Sequence, residues 1–309
     1  MADQPKIISA SRRTDIPAFY ASWFMNRIRE GFAIYPNPMF PYKKHQVDLR
    51  PSAVNGIVFW TRYPAPMLPY LAELDARGYS YYFLVSILNY PRDIEPHTPS
   101  IKKTIDAVRM LSEKIGKHRV IWRYDPLILT QGKIDDNWHI HNFSWLLGNL
   151  WDVTEKVIIS IIDPYQKTVE DLGDGAKGIS YQPSDYHKLL MDMSKLTQKA
   201  GIRIQSCAEF DMGVPGIIAG GCVDAGLIET ISGLKTSKQK HVQRKGCLCQ
   251  KSVDIGVNNT CLFGCRYCYA TSSYQTAQYN QKRHDPKAPS IADNPGFNQY
   301  RKHKGFSQK

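Results

Sequence analysis

The chain has 309 residues, 40 Lys+Arg against 28 Asp+Glu, a net charge of +12, 42% apolar residues and seven cysteines. That apolar share fills a sizeable core, which excludes wholesale disorder, and seven cysteines are too sparse and too odd in number for a small disulfide scaffold. No run of ~18 apolar residues could span a membrane, and the start of the chain has no apolar core of a secretory signal. The expected compartment is therefore the cytoplasm, without membrane association, where cysteines more often serve metals or catalysis than cross-links.

The elements read as alternating strands and helices. Lys6–Ala10 is the first strand-like run, and Pro17 to Glu30, closed by Gly31, reads as a helix. Gly56–Thr61 and Ser80–Leu88 are the next strands. Thr98 is then placed to cap a helix with Pro99 at its first position and Ile101, Ile105, Val108, Leu111 and Ile115 on one face. Arg119–Arg123 and Lys156–Ile162 follow as strands. Ser184 opens a helix with Tyr186, Leu189, Met193 and Leu196 inward and Gly201 as its stop. Ile202–Cys207 and Ser252–Val257 complete the strands. Most of these runs lack alternation, as strands covered on both faces do.

Strands spaced by helices imply parallel pairing through right-handed crossovers. The expected fold is α/β: a TIM-type parallel barrel, closed or partial, over residues 1–270. Residues 271–309 read as a polar, basic tail with a mobile end, whose start allows a short wrap of Tyr274 or Tyr279 onto the barrel. Charge is concentrated late: residues 231–309 hold 14 Lys+Arg and 3 acids. Either a phosphate-attracting surface or a solvated loop and tail accounts for it, and an anionic iron–sulfur cluster nearby would also gain from it.

In a parallel barrel, chemistry collects where strands end. Strand one runs into Ser11-Arg12-Arg13-Thr14-Asp15, the second ends in Trp60-Thr61-Arg62, the fourth in Arg123-Tyr124-Asp125-Pro126 and the sixth in Cys207-Ala208-Glu209. Arginines continuing apolar strands are costly to bury unpartnered. Arg12, Arg62 and Arg123 are expected to converge on one mouth, with Asp15, Asp125 and Glu209 as counter-charges, as a binding site or as internal ion pairs.

The sharpest motif is Cys261-Leu262-Phe263-Gly264-Cys265-Arg266-Tyr267-Cys268, a C-x3-C-x2-C spacing directly after the last strand. Three thiolates on one loop can hold three irons of a [4Fe–4S] cluster. The fourth iron is then without a protein ligand, unlike the four-cysteine clusters of electron-transfer proteins.

This spacing, with an aromatic before the third cysteine, resembles the signature of the radical S-adenosylmethionine superfamily. More narrowly, the chain resembles domain of unknown function family 1848, itself distantly similar to spore photoproduct lyase. The stretches that carry it are Ile8 to Pro17, Gly56 to Arg62, Trp122 to Pro126, Ser206 to Glu209, Cys222-Val223-Asp224, and Cys247-Leu248-Cys249 through Ala270. The resemblance implies a [4Fe–4S] cluster on Cys261, Cys265 and Cys268 whose open iron binds S-adenosylmethionine. It further implies one-electron cleavage to a 5′-deoxyadenosyl radical, with electrons from a donor such as flavodoxin or ferredoxin.

In that superfamily the cysteine loop follows the first strand, whereas here it follows the last. A circularly permuted strand order, with Val253–Val257 beside Lys6–Ala10, reconciles the two. The superfamily's Gly-Gly-Glu is absent. Asp15 is expected to accept the cofactor's ammonium and Arg12 to pair with its carboxylate, with Tyr267 also at the cofactor.

Four cysteines remain. Cys207 and Cys222 singly read as small buried apolar residues. Together with Cys247 and Cys249 they admit a second iron–sulfur cluster, and Cys247-Leu248-Cys249 also admits a redox dithiol. His139 and His141 lack a third ligand for a metal site, and His284-Asp285-Pro286 reads as a turn or as a cover for the cluster mouth. No nucleotide-binding glycine loop or Gly-x-Ser-x-Gly is present. The competing readings are a zinc-containing nucleic-acid-binding protein and an iron–sulfur protein of electron transfer. The substrate class stays open among an anionic small molecule, a peptide and a nucleic acid.

Overall fold

The computed structural model describes residues 4–38, 40, 42–130, 132–163, 166–172, 179–207, 213–240 and 246–292. The elements in chain order are β1 (Lys6–Ala10), α1 (Ile16–Phe19), α2 (Ala21–Glu30), β2 (Phe32–Pro36), β3 (Lys44–Asp48), β4 (Val54–Thr61), α3 (Leu71–Ala76) and β5 (Tyr81–Ser86). Next come α4 (Ile101–Ile115), β6 (Val120–Leu127), α5 (Asp136–Leu150), β7 (Lys156–Ile161), α6 (Gln166–Leu172) and α7 (His187–Lys199). The chain continues with β8 (Arg203–Cys207), β9 (Ile217–Gly220), α8 (Ala225–Ser232), β10 (Ser252–Asp254) and α9 (Tyr274–Lys282).

Eight strands form one parallel sheet in the order β10-β1-β4-β5-β6-β7-β8-β9, and β2 and β3 form a separate antiparallel hairpin. The last strand lies beside the first, with Ile8 opposite Val253 and Ser9 opposite Asp254. That is the neighbour relation a permuted order requires. No pairing joins β9 to β10 among the described residues, so the sheet is open at that seam.

Successive strand residues point to opposite faces, and here both faces are covered. Ile57, Phe59, Tyr81, Phe83, Trp122 and Val157 pack into the larger core with α1, α2, α4, α5 and α7. Val58, Trp60, Tyr82, Leu84, Ile121 and Ile158 line the other face. There they meet α8 and four cysteines, Cys207, Cys222, Cys247 and Cys249. This double coverage is why the strands read as unbroken apolar runs.

Several boundaries differ from the sequence reading. The helix expected over Pro17–Glu30 breaks at Tyr20: Asp15 caps α1 by accepting from Ala18 N at 3.0 Å, and α2 ends at Gly31 in the left-handed region. Ser100, not Thr98, caps α4, because the Thr98 carbonyl and hydroxyl both accept from Arg92 Nη1. The short β9 and the β2–β3 hairpin are half-exposed; β3 is mostly polar, while β2 (Phe-Ala-Ile-Tyr-Pro) and β9 (Ile-Ile-Ala-Gly) are short apolar stretches that the sequence reading passed over.

The start of the segment read as a tail is packed onto the helices. Trp23 Nε1 donates to Ala288 O (2.9 Å), Arg27 Nη2 to Lys287 O (2.8 Å) and Asn26 Nδ2 to Pro286 O (2.9 Å). Tyr274 stacks on His97 with ring centroids 3.9 Å apart. His284 bonds Ile291 O and packs edge-on against Tyr20, which makes it part of this strap. Residues 293–309 lie outside the described residues.

His139 is a core residue. It is fully buried, its Nε2 bonding Ile128 O (2.9 Å) and its Nδ1 bonding the Tyr124 hydroxyl (2.9 Å), so neither nitrogen is left for a metal. Burial holds its pKa down at about 4 against an ordinary 6.5. The unfolded chain therefore binds a proton between those values that the folded chain does not. Stability from this group is complete above pH 6.5 and is lost as pH falls toward 4, on the order of 3 kcal/mol across the window. A His139→Gln variant is expected to show a flatter dependence of the urea midpoint on pH over that range; identical slopes would refute the assignment.

Candidate metal centre

The cysteine loop is held by backbone bonds at both ends and along its length. Asn259 N donates to Ala270 O (2.9 Å), closing the loop's neck, and Cys268 N donates to Cys265 O (3.0 Å) in a turn. Arg266 N donates to Ile94 O (3.0 Å) and His97 N to Phe263 O (3.3 Å), which seats the loop on the segment after β5. Gly264, the third residue of the motif's first gap, has φ +64°, and a Cβ there would lie 2.9 Å from the His97 ring, so this turn position must lack a side chain. Phe263 packs on Phe19, centroids 4.6 Å apart. Cys265 is buried, while Cys261 and Cys268 are partly exposed.

Beneath the loop sits a buried ion pair. The Arg62 guanidinium pairs with Glu95, and the Tyr267 hydroxyl accepts from Arg62 Nη1 (2.5 Å) while donating to Glu95. Glu95 is 2% exposed. Burial opposes the charge on Arg62, but Glu95, Tyr267 and Cys265 together outweigh it and hold the guanidinium protonated. Burial likewise pushes the Cys265 thiol up to about 12, with Arg62 acting in the opposite direction. A metal here must displace a proton, and Arg62 is the cation placed to favour the thiolate.

Arg12, Asp15, Arg62, Arg123 and Asp125 line one cavity of about 380 Å³, together with all seven cysteines, Trp60 and Tyr267. The guanidinium carbons of Arg12 and Arg123 lie 5.3 and 4.9 Å from the Trp60 ring centroid. Arg123 pairs with Asp125, which also accepts from Ser160. Among the described residues Asp15 pairs with no guanidinium. Its oxygens accept from Ala18 N (3.0 Å) and Arg62 N (2.7 Å), and burial raises its pKa to about 7. Glu209 lies outside the described residues.

The counter-charges therefore differ from the sequence reading at two points. Glu95 partners Arg62, and Asp254 partners Arg13 (3.3 Å) while accepting from Arg12 N (2.9 Å) and Ser11 Oγ (2.7 Å). Burial opposes the charge of Asp254, but Arg13, Arg12 and Ser11 together hold it below the usual carboxylate range. A signal for Asp254 was present in the sequence: a lone acid within a strand of a basic segment. Glu95 sits in an irregular stretch with no periodicity, so nothing local marked it.

The second set of cysteines faces the same cavity from across Trp60 and Arg123. Cys207 ends β8, Cys222 follows β9, and Cys247 and Cys249 precede β10. The Sγ atoms of Cys207, Cys222 and Cys249 lie within 4.8 Å of one another.

Fold and site together define an open parallel α/β protein whose cavity is edged by two sets of cysteines. The chain belongs to the family described as domain of unknown function (DUF1848), whose profile matches residues 7–270. No curated protein matches it. Among solved structures it is similar to a Bacteroides thetaiotaomicron protein assigned as an alpha-L-fucosidase, at 10% identity over 76% of this chain and 85% of that one, TM-score 0.27. It is also similar to an L-hydantoinase (dihydropyrimidinase) from Arthrobacter aurescens, at 8% identity over 65% of this chain and 41% of that one, TM-score 0.28. The chain thus spans about two fifths of the hydantoinase, and likenesses this low bear on neither substrate nor reaction. No helix among the described residues is long and apolar enough to cross a membrane.

Proposed function

We propose that this chain is a radical S-adenosylmethionine-like enzyme, with a [4Fe–4S] cluster on Cys261, Cys265 and Cys268 and an anionic substrate in the adjoining cavity. The observation that carries the reading is the presentation of three thiols by one loop on a cavity lined by Arg12 and Arg123. When bound, the cluster would supply an electron to the sulfonium of S-adenosylmethionine and so release a 5′-deoxyadenosyl radical that takes hydrogen from substrate. The protein's part is placement and exclusion of water.

The residues present fit such guests. Trp60 Nε1, Arg62 Nε and Arg123 Nε are buried without hydrogen-bond partners among the described residues. Unpaired buried donors are costly, and a polar or anionic guest would satisfy them. Asp15 accepts one backbone N–H on each oxygen, and a carboxylate oxygen has a second lone pair to offer an ammonium group. Arg12 lines the same cavity and offers a guanidinium for a carboxylate. The volume suits a small molecule or the end of a larger one.

The test is anaerobic purification followed by reduction with dithionite in the presence of S-adenosylmethionine. Iron and sulfide at the loop and formation of 5′-deoxyadenosine are expected. A protein that binds iron yet forms no 5′-deoxyadenosine under any reducing condition would remove the enzyme reading and leave the electron-transfer one.

A further inference from the structure

Four sulfurs take no part in the loop centre, yet they converge from three separate stretches of chain. Cys222 Sγ is 3.1 Å from Cys207 Sγ, the sulfurs of Cys207, Cys222 and Cys249 lie within 4.8 Å of one another, and Cys247 is packed in the same buried cluster. All four are buried and none is in a disulfide. Single buried cysteines are ordinary core residues, but three sulfurs within reach of one ion, with a fourth thiol buried in the same cluster, are a ligand set.

We propose that Cys207, Cys222, Cys247 and Cys249 form a closed four-thiolate site for a single zinc ion, independent of the loop centre. Tetrahedral sulfur donors select zinc or an iron–sulfur cluster, and spacing separates the two. Thiolates on one zinc at about 2.3 Å stand about 3.8 Å apart in a tetrahedron. Thiolates of a cluster bind different irons and stand further apart. Cys207, Cys222 and Cys249 fall within 4.8 Å of one another, a spacing the loop cysteines do not share.

The surroundings are built for a charged metal–thiolate group. Four thiolates on a divalent ion carry a net charge of −2, and Arg123, paired with Asp125, lines the same cavity as Cys207 and Cys222. Val223 N lies 3.5 Å from Cys249 Sγ as a donor. The two cysteine-bearing loops are laced together: Gln250 N donates to Val223 O (3.1 Å) and Ala225 N to Gln250 Oε1 (3.1 Å). Gly221 permits the approach, since a Cβ there would lie 2.7 Å from Leu248 O and 2.9 Å from Cys249 Cα.

Position assigns the role. The ligands come from the end of β8, the turn after β9 and the run into β10, which are the elements on either side of the open seam. The ion supplies across that seam the cross-connection that strand pairing supplies elsewhere in the sheet.

The test is metal analysis of the full chain, purified anaerobically from zinc-supplemented medium. The expected result is about one zinc per chain, lost in Cys222→Ser and Cys249→Ser but retained in Cys265→Ala. Because a ligand variant can fail to fold, a second measurement uses the unaltered chain grown with cobalt(II): intense sulfur-to-cobalt absorption of four-thiolate coordination is expected. Zinc absent from the unaltered protein, zinc unchanged in the Cys222 and Cys249 variants, or iron and sulfide lost in their place would overturn the proposal. So would a native Cys207–Cys222 disulfide. Failure of the loop to hold iron would leave the zinc result untouched, so the two centres are tested separately.

Discussion

Cys265→Ala is expected to strip iron from the 261–268 loop, reducing about four irons at that centre to well under one per chain. Cys265 is the most enclosed of the three loop thiols and the one beside Arg62. With it gone, Cys261 and Cys268 are two ligands for a cluster that uses three. The substitution removes a single sulfur atom and adds no polar group, so the fold should survive and circular dichroism should match the parent. Iron and sulfide assays on anaerobically prepared protein, with the broad visible absorption of the cluster, read the effect directly. Unchanged iron in a folded Cys265→Ala protein would show that the metal, if any, sits elsewhere.

The second large effect is expected at Glu95. This carboxylate is the counter-ion of Arg62 and accepts the Tyr267 hydroxyl, and Tyr267 lies between two cysteines of the loop. Glu95→Ala leaves a guanidinium buried without its partner, which costs about 3–5 kcal/mol. It also removes one of the contacts that hold Tyr267 down. The expected result is a lowered urea midpoint together with weaker retention of loop iron. The double replacement Arg62→Met, Glu95→Leu removes both charges, and apolar pairs of similar volume often match a buried ion pair in stability. It should recover most of the stability lost by Glu95→Ala alone. A Glu95→Ala protein less than ~1 kcal/mol below the parent would mean that water or another group satisfies Arg62.

Much of the architecture was legible because burial on both faces leaves a local mark. β1 was read at its observed limits, and β4, β5, β7 and β8 within two residues, since each is an apolar run bounded by turn residues. β10 is shorter than its apolar pattern, because only Ser252–Asp254 pairs with β1 before the chain turns toward the cysteine loop. The strands missed, β2, β3 and β9, are half-exposed; β3 is mostly polar, and the apolar stretches of β2 and β9 end at Pro36 and Gly220, residue types that also mark turns. The strap formed by residues 274–292 was read as tail for a related reason. It is anchored mostly by backbone carbonyls accepting from Trp23, Asn26 and Arg27, and a carbonyl has no sequence signature.

The amino-acid order alone determined the strand–helix alternation, the C-x3-C-x2-C loop after the last strand and the arginines at strand ends, because each depends on residues close together in the chain. Which charge neutralises which, Glu95 for Arg62 and Asp254 for Arg13, was decided by packing between segments from about 30 to 240 residues apart. The same holds for the second set of cysteines. Cys207 and Cys222 stand 15 residues apart and Cys247-Leu248-Cys249 lies well downstream, so the sequence admitted a second centre on these four residues but no spacing fixed it. Only the closing of β8, β9 and β10 around one end of the sheet brings those sulfurs to a single point, since metal-ligand geometry is a property of distances in space and the chain can meet it from any separation in sequence.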